Sequence, residues 1–427
     1  MAVPELRSPA GSPSGSPAAD PARMVLLLSV MLAINYVDRG NLATAVPLIR
    51  AELHLRGWQL GLLISAFFYP YVLVMAPVGS LAERYGATRV LSVGVGLWGV
   101  ATLLTGFAGG FVGLLLLRLL LGLGESAAFP CSSKLVAGTL EPPRLALANG
   151  WMAFGYLIGP GIGTLFGGLA MARFGWRAVF VSLGAASLVW LLPWARLRTP
   201  PLLAATAAAA APSWGEILRQ RGLWGASLGH FASNYSWYFV LAWLPDYLVS
   251  ARGFSLQAMA VVSGSAYLIN AGAALASGWF TARFLAAGGH ANTIYKAIMA
   301  LNHLTSIAVV AGIALLPLGP ALACLYIFEI VVGISSPGTF AIAQTMAGST
   351  AAGRWVGVQN TCANVAGMIA PVLSGLLLDL TGHLDSAFVL ASLVNLLGLI
   401  GWVVILPRVQ PVIWRSGPAL ARRTMPR

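Results

Sequence analysis

Apolar runs of about 20 residues alternate with short polar connectors along almost the whole chain. That is the length a helix needs to cross the hydrocarbon core of a bilayer, so the pattern predicts transmembrane helices. Twelve runs are read, over residues 24–48, 58–81, 90–108, 111–138, 146–171, 177–195, 223–249, 257–282, 293–316, 320–347, 354–379 and 386–407. Segments of about ten residues with alternating polarity, the mark of a membrane barrel, are not found. The fold class is therefore all-α: a polytopic membrane protein of twelve helices. The run beginning at residue 24 is too long for a signal peptide and has polar interior positions, so it reads as a retained first helix.

The connectors divide the chain further. Residues 1–23, rich in Pro, Ser, Gly and Ala, read as a disordered cytoplasmic tail. An N-terminal six-helix bundle spans 24–195 and a second spans 223–407. Between them, residues 196–222 carry prolines, an alanine tract and arginines and read as a cytoplasmic linker; residues 408–427 form a basic cytoplasmic tail. The bundles echo each other. Asn35-Tyr36 recurs as Asn234-Tyr235, and Gly79 and Arg84 recur as Gly278 and Arg283, each 199 residues on. Gly122, Asn149 and Pro160 recur as Gly333, Asn360 and Pro371, each 211 residues on. Two parallel six-helix repeats are a transporter architecture, with the substrate site near mid-membrane between them.

Composition agrees. Hydrophobic residues make up 58% of the chain and charged residues 9%, against about 25% charged in soluble proteins. The 49 glycines suit closely packed membrane helices. A net charge of +13 raises nucleic acid as a partner, but its distribution argues otherwise. With the N-terminus inside, 18 of the 25 Lys and Arg fall on the cytoplasmic side, five on the opposite side, and two, Arg39 and Arg118, within spans. This bias puts both termini inside by the positive-inside rule, in a plasma (inner) membrane, with the arginines meeting anionic headgroups. The expected partners are thus the lipid bilayer and a small anionic substrate, with no nucleic acid and a monomeric state. Cys131, Cys324 and Cys362 sit in or near spans at no metal-ligand spacing and read as packing residues. His54, His230, His290, His303 and His383 are scattered and read as structural. With no catalytic triad, metal cluster or nucleotide loop, an enzyme is not expected, nor a cofactor; the coupling ion is read as a proton, with sodium an open alternative.

The chemistry concentrates in the stretch "INYVDRGNL" at 34–42, inside the first span. Each charge at the bilayer centre costs roughly 2.5–3.5 kcal/mol, so intramembrane charges pair or face water and mark transport paths. Asp38, Arg39, Arg118 and Glu125 make two acids and two bases. Arg118 and Glu125, seven apart, share one helix face about 10.5 Å apart along the axis, while Asp38 and Arg39 point about 100° apart. The expected mechanism has Arg39 gripping a substrate carboxylate. Arg118 competes for Glu125 and Asp38, which carry protons as a rocking motion changes the pairing. A static lock between helices 1 and 4 is the alternative. The C-terminal half is less charged and reads as the selecting half. Asn360 and Asn364, four apart on one face, and Asn234, Tyr235 and Tyr238 are placed with Tyr36 and Arg39 as substrate-binding candidates. Ser335 and Ser336, beside Pro337, are assigned to a gating kink rather than the site. Glu329 is either a third titratable group or a structural acid facing Asn302 or His303.

The stretch "GSLAERYGATR" at 79–89 resembles the loop 2–3 signature of the major facilitator superfamily, with Glu83 in place of the usual Asp. Within that superfamily, "NYVDRGNLATAVPLI", "RLLLGLGESAAFP", "YFVLAWLPDYLVSARGFS" and "GVQNTCANVAGMIAP" are similar to the anion:cation symporter family, over about residues 25–407. The resemblance implies a gating loop built on Gly79, Glu83, Arg84 and the second-copy Arg283. It also implies proton-carrying acids in helices 1 and 4, and arginines that bind the anion or hold the acids. It makes a proton-coupled importer of a sugar acid (hexuronate, galactonate or glucarate) the leading expectation. A drug or metabolite exporter on the same fold and a non-transporting anion receptor are the alternatives. Sugar-acid members often carry Gln in helix 5 where Trp151 stands here, which brings in a more apolar or aromatic carboxylate.

Overall fold

A computed structural model of the chain describes residues 20–197 and 212–415. Residues 1–19 of the expected tail and most of the linker therefore fall outside the described residues, while 21–23, expected in the tail, form the first turn of a helix capped by Asp20. Among the described residues, nine helical stretches are long and apolar enough to cross a bilayer. One of them, Pro142–Ala195, turns back at Gly175 and makes two passes; φ is +79° there, a conformation that glycine adopts without a Cβ clash. With the helices around residues 57–85 and 221–246, the passes number twelve.

They are α1 (Pro21–Leu53), α2 (Gly57–Ala66 continued by Phe68–Tyr85), α3 (Ala87–Thr105) and α4 (Phe111–Glu125 continued by Ala128–Thr139). α5 starts as Pro142–Ile162 and runs through a π turn, Gly163–Gly167, to residue 174; α6 covers 176–195. After a short helix at Trp214–Leu218 come α7 (Arg221–Asp246, then a π turn), α8 (Leu256–Ala286), α9 (Ala291–Leu315), α10 (Leu318–Ala347), α11 (Ala352–Thr381) and α12 (Asp385–Leu399, then a π turn to Ile405).

Two passes expected as single helices are broken, and proline explains both. A proline ring clashes with the carbonyl four residues earlier and supplies no N–H to it. Pro70 acts on Ala66, where α2 breaks at Phe67; Pro130 acts on Ser126, where α4 breaks at Ser126–Ala127. Both breaks lie beside the intramembrane charges.

The halves meet along two seams, α2 against α11 and α5 against α8. α3, α6, α9 and α12 pack behind, α3 on α6 and α9 on α12. At one end of the bundle Glu52, at the end of α1, accepts from Arg177 Nε at 2.9 Å and Trp176 Nε1 at 2.6 Å. These bonds hold its carboxyl below the ordinary carboxylate range. At the opposite end the segment after α12, expected as a plain basic tail, folds back. The Val412 N–H donates to Met346 O at 2.8 Å, Trp414 Nε1 to Ala347 O at 3.1 Å, and the Arg415 N–H to Glu216 of the linker helix at 2.8 Å.

Candidate functional site

The intramembrane charges of α1 and α4 come together, in a pairing the sequence did not single out. Arg39 donates through Nε (2.9 Å) and Nη2 (2.7 Å) to the same oxygen of Glu125, which is fully buried. The guanidinium carbon lies 4.5, 4.7 and 4.8 Å from the ring centres of Tyr36, Phe67 and Tyr71. An aromatic cage of this kind attracts a cation most strongly when water is excluded. Phe67 enters the cage from the proline break in α2. The same break turns the Phe67 N–H toward Ser65 O. The Leu63 carbonyl is thus left for Arg118, which donates to it at 3.3 Å and also stands over Phe67. Arg118 therefore takes a backbone oxygen, although it remains within electrostatic reach of Glu125 and Asp38. Asp38 turns away toward α3 and accepts from Thr102 at 3.0 Å, with its other oxygen unpartnered. Adjacent positions on one helix thus reach different neighbouring helices, as the 100° step allows.

Between the halves lies a cavity of about 60 Å³, lined from α1, α4, α5, α7, α10 and α11. Of the sequence candidates, Tyr36, Asn234, Tyr238, Asn360 and Asn364 line it. Tyr235 does not: it is buried among apolar residues of the C-terminal half. Arg39 does not line the cavity; it lies against the ring of Tyr36, which does, and interacts with the Tyr238 hydroxyl. From there a chain runs into the C-terminal half. Tyr238 donates to Asn364 Oδ1 at 2.7 Å, and Asn364 Nδ2 reaches Asn360 Oδ1 at 3.2 Å. Ser335 and Ser336, assigned above to a kink, line the cavity too, with hydroxyls donated to Val332 O. The remaining wall was not foreseen: Phe129, Tyr156, His230, Ser233, Trp237, Thr339 and Phe340. Trp151, taken as a mark of substrate type, is 42% exposed on the outer surface of α5 and bears on nothing in the cavity. Glu329 takes neither expected partner and accepts from Asn270 of α8 at 2.5 Å. His303 instead meets Asn395 at 2.9 Å and Ser233 at 3.4 Å.

On the side of the cavity toward the start of α1 and the end of α12, three layers close the gap between the halves. Phe129 of α4 stacks on Phe340 of α10, with ring centres 5.0 Å apart and planes at 15°. Next, Asn149 of α5 and Gln344 of α10 exchange amide hydrogen bonds at 2.6 and 3.2 Å, both buried. Last, Lys134 pairs with Glu83 and donates across the seam to Ser349 O at 3.1 Å. There Gly79 abuts the backbone of Gly353 so closely that a Cβ would sit 2.5 Å from that residue's carbonyl oxygen. Arg84 and Arg283 are not in this seal; each is exposed and lies over an aromatic ring of its own helix, Tyr85 and Trp279. Lys134 and Ser349 were missed because nothing local in the sequence links them to Glu83.

The Major Facilitator Superfamily model matches residues 28–371. The chain belongs to that superfamily. Among the relatives of this major facilitator, "Probable sulfoacetate transporter SauU" of Cupriavidus necator is 30% identical over 86% of this chain and 89% of its own length. The "Hexuronate transporter" of Bacillus subtilis is 30% identical, with coverage of 86% and 90%. "Probable L-galactonate transporter" of Escherichia coli is 26% identical, with 89% and 88%. These place the facilitator in the anion:cation symporter group, and its relatives are transporters, not enzymes. In fold it is similar to the transporter FucP in the outward conformation (TM-score 0.72, 16% identity, 90% of this chain and 98% of that one). It is similar also to the proton:xylose symporter XylE (TM-score 0.73, 13% identity, 91% and 96%). The facilitator is a multi-pass membrane transporter.

Proposed function

We propose that the protein takes up a small organic anion, a sugar acid being the leading class, together with protons, by alternating access. It would act as a monomer in the inner membrane with both termini in the cytoplasm. The observation that carries this reading is the bond between Arg39 and Glu125, held against Tyr36 of the cavity wall. The cation that suits a substrate carboxylate is held by a carboxylate of the protein. An incoming anion competes with Glu125 for the same guanidinium. Once displaced, Glu125 is a buried charge without a partner, a state avoided by binding a proton. Substrate and proton thus enter as one event. Asp38, turned toward Thr102, is the second acid within electrostatic reach of the same cluster and a second proton carrier on this reading. The relatives' names support the anion: sulfoacetate, hexuronate and L-galactonate are all organic acids.

The test is Glu125→Gln in proteoliposomes. Uptake of a labelled acid driven by an imposed pH gradient should vanish, while counterflow exchange, which needs no net proton movement, should persist at about the wild-type rate. Accumulation that survives in the variant would remove Glu125 from the coupling step.

A further inference from the structure

The cavity wall contains one residue that ordinary packing does not account for. His230 of α7 is 7% exposed and lines the cavity. Its neighbour is the Phe340 ring, edge to face at 5.5 Å. Its Nδ1 is sealed from solvent with no hydrogen-bond partner among the described residues. An apolar side chain would pack against Phe340 equally well, and a buried ring nitrogen without a partner is a cost.

The other polar groups of the wall are mostly spent. Ser335 and Ser336 donate to Val332 O, Asn234 to Ala363 O, and Asn364 to Asn360. One further sealed group lines the same cavity unpartnered: Asn360 Nδ2, the end of the chain that starts at Arg39. A neutral imidazole offers one donor and one acceptor, and the amide nitrogen offers donors. The cavity lining contains no Lys or Arg. A second full negative charge at this end would therefore lie buried without compensation, which is costly in a membrane interior. A hydroxyl meets no such cost, since it accepts from Asn360 and donates to the imidazole.

We propose that His230 is a specificity-determining residue which, with Asn360, receives a hydroxyl at the far end of a hydroxy acid whose carboxylate is held by Arg39. The inference rests on the anion-transport reading given above. Its substrate is a monoanion with a remote hydroxyl, in preference to a diacid or an unsubstituted fatty acid. A site built to hydrogen-bond a hydroxyl rejects analogues that lack it, because its own buried groups are then left unpaired.

Calorimetry on the purified full-length protein tests this with three six-carbon probes: D-gluconate, D-glucarate and hexanoate. The wild type should bind D-gluconate at least about tenfold more tightly than either of the others, the effect of one lost buried hydrogen bond to a polar group. In His230→Phe the advantage over hexanoate should shrink to within about threefold. In His230→Gln, which keeps a donor and an acceptor, most of it should return. If His230→Phe does not fold, His230→Leu carries the same expectation. An advantage that persists in the apolar variant overturns the proposal, as does a wild type that prefers D-glucarate or binds no D-gluconate. Arg39→Gln separates this from failure of the broader reading. If that variant binds all three acids as the wild type does, the anion site itself is misplaced, whatever His230 does.

Discussion

Arg39 does two things that lysine cannot. Its planar guanidinium puts two N–H groups on one oxygen of Glu125 and presents flat faces to Tyr36, Phe67 and Tyr71. An ammonium keeps the charge but loses the fork and most of the stacking. Arg39→Lys should therefore weaken binding of the transported acid by about 10–100-fold, and thermal melting should change little, because Glu125 stays compensated. Arg39→Gln should weaken binding and also lower the melting temperature, because it leaves a buried carboxylate alone and destabilises the protein by about 3–5 kcal/mol. Calorimetric binding and melting of the two variants check this, and a lysine variant with wild-type affinity would show that charge alone suffices. That these positions are candidates for the site was legible in the sequence, because charge is rare and costly in a span. Their pairing was not. Arg118 and Glu125 share a face by periodicity, yet the proline break in α2 gives Arg118 the Leu63 carbonyl and leaves Glu125 to Arg39.

Elements move as units, so the seal beneath the cavity is best tested where two helices touch through backbone. At Gly79 in α2, any side chain would meet the carbonyl of Gly353 and the Cα of Arg354 in α11, 2.5 and 2.9 Å from an added Cβ. Neither atom is the end of a flexible chain that can swing aside. Gly79→Val should thus hold the ends of α2 and α11 at this seal apart and bias the molecule toward opening on that side. Cys131 reports this without an added probe site. It is fully buried in α4, three residues before Lys134 and within electrostatic reach of Glu83. With Cys324 and Cys362 changed to serine, Cys131 should resist a membrane-impermeant maleimide applied from the side that the seal closes. In Gly79→Val it should label at least about tenfold faster, and substrate uptake should fall by a similar factor. Glu83→Gln, which removes the Lys134 ion pair but no packing, should shift both in the same direction by less. Equal protection in all three would mean that the Phe129–Phe340 and Asn149–Gln344 layers close the path alone. The glycine and the acid of this seal were legible from the loop signature. Its lysine and its glutamine were not, since a lone polar residue near a helix end looks the same whether it faces headgroups or a partner helix.

At the scale of the molecule the two halves share a frame and divide the work. Phe129 and Phe340 occupy equivalent places, 211 residues apart, and stack on each other where the halves meet. Arg118 and Glu329 are equivalent too, but Glu329 is tied to Asn270 inside the C-terminal half. The ion pair lies in one half, and most of the polar cavity wall lies in the other. The duplication and the twelve passes could be read from spacing and hydropathy. The cavity wall largely could not: an aromatic residue in an apolar helix carries no signal of whether it is exposed on the outside of the bundle, as Trp151 is, or faces the cavity, as Tyr156 does. The division of labour sets the energetics of transport. If Asp38 and Glu125 each carry one proton, a monoanion enters with a net charge of +1. A membrane potential of about 100 mV, negative inside, then contributes about 2.3 kcal/mol, or roughly fifty-fold accumulation without any pH gradient. With one proton the cycle is neutral and the potential does nothing. Proteoliposomes at equal pH on both sides, given a potassium diffusion potential with valinomycin, separate the cases. Accumulation should appear in the wild type and disappear in Asp38→Asn. Potential-independent uptake in the wild type would reduce the coupling to a single proton and return Asp38 to a structural bond with Thr102.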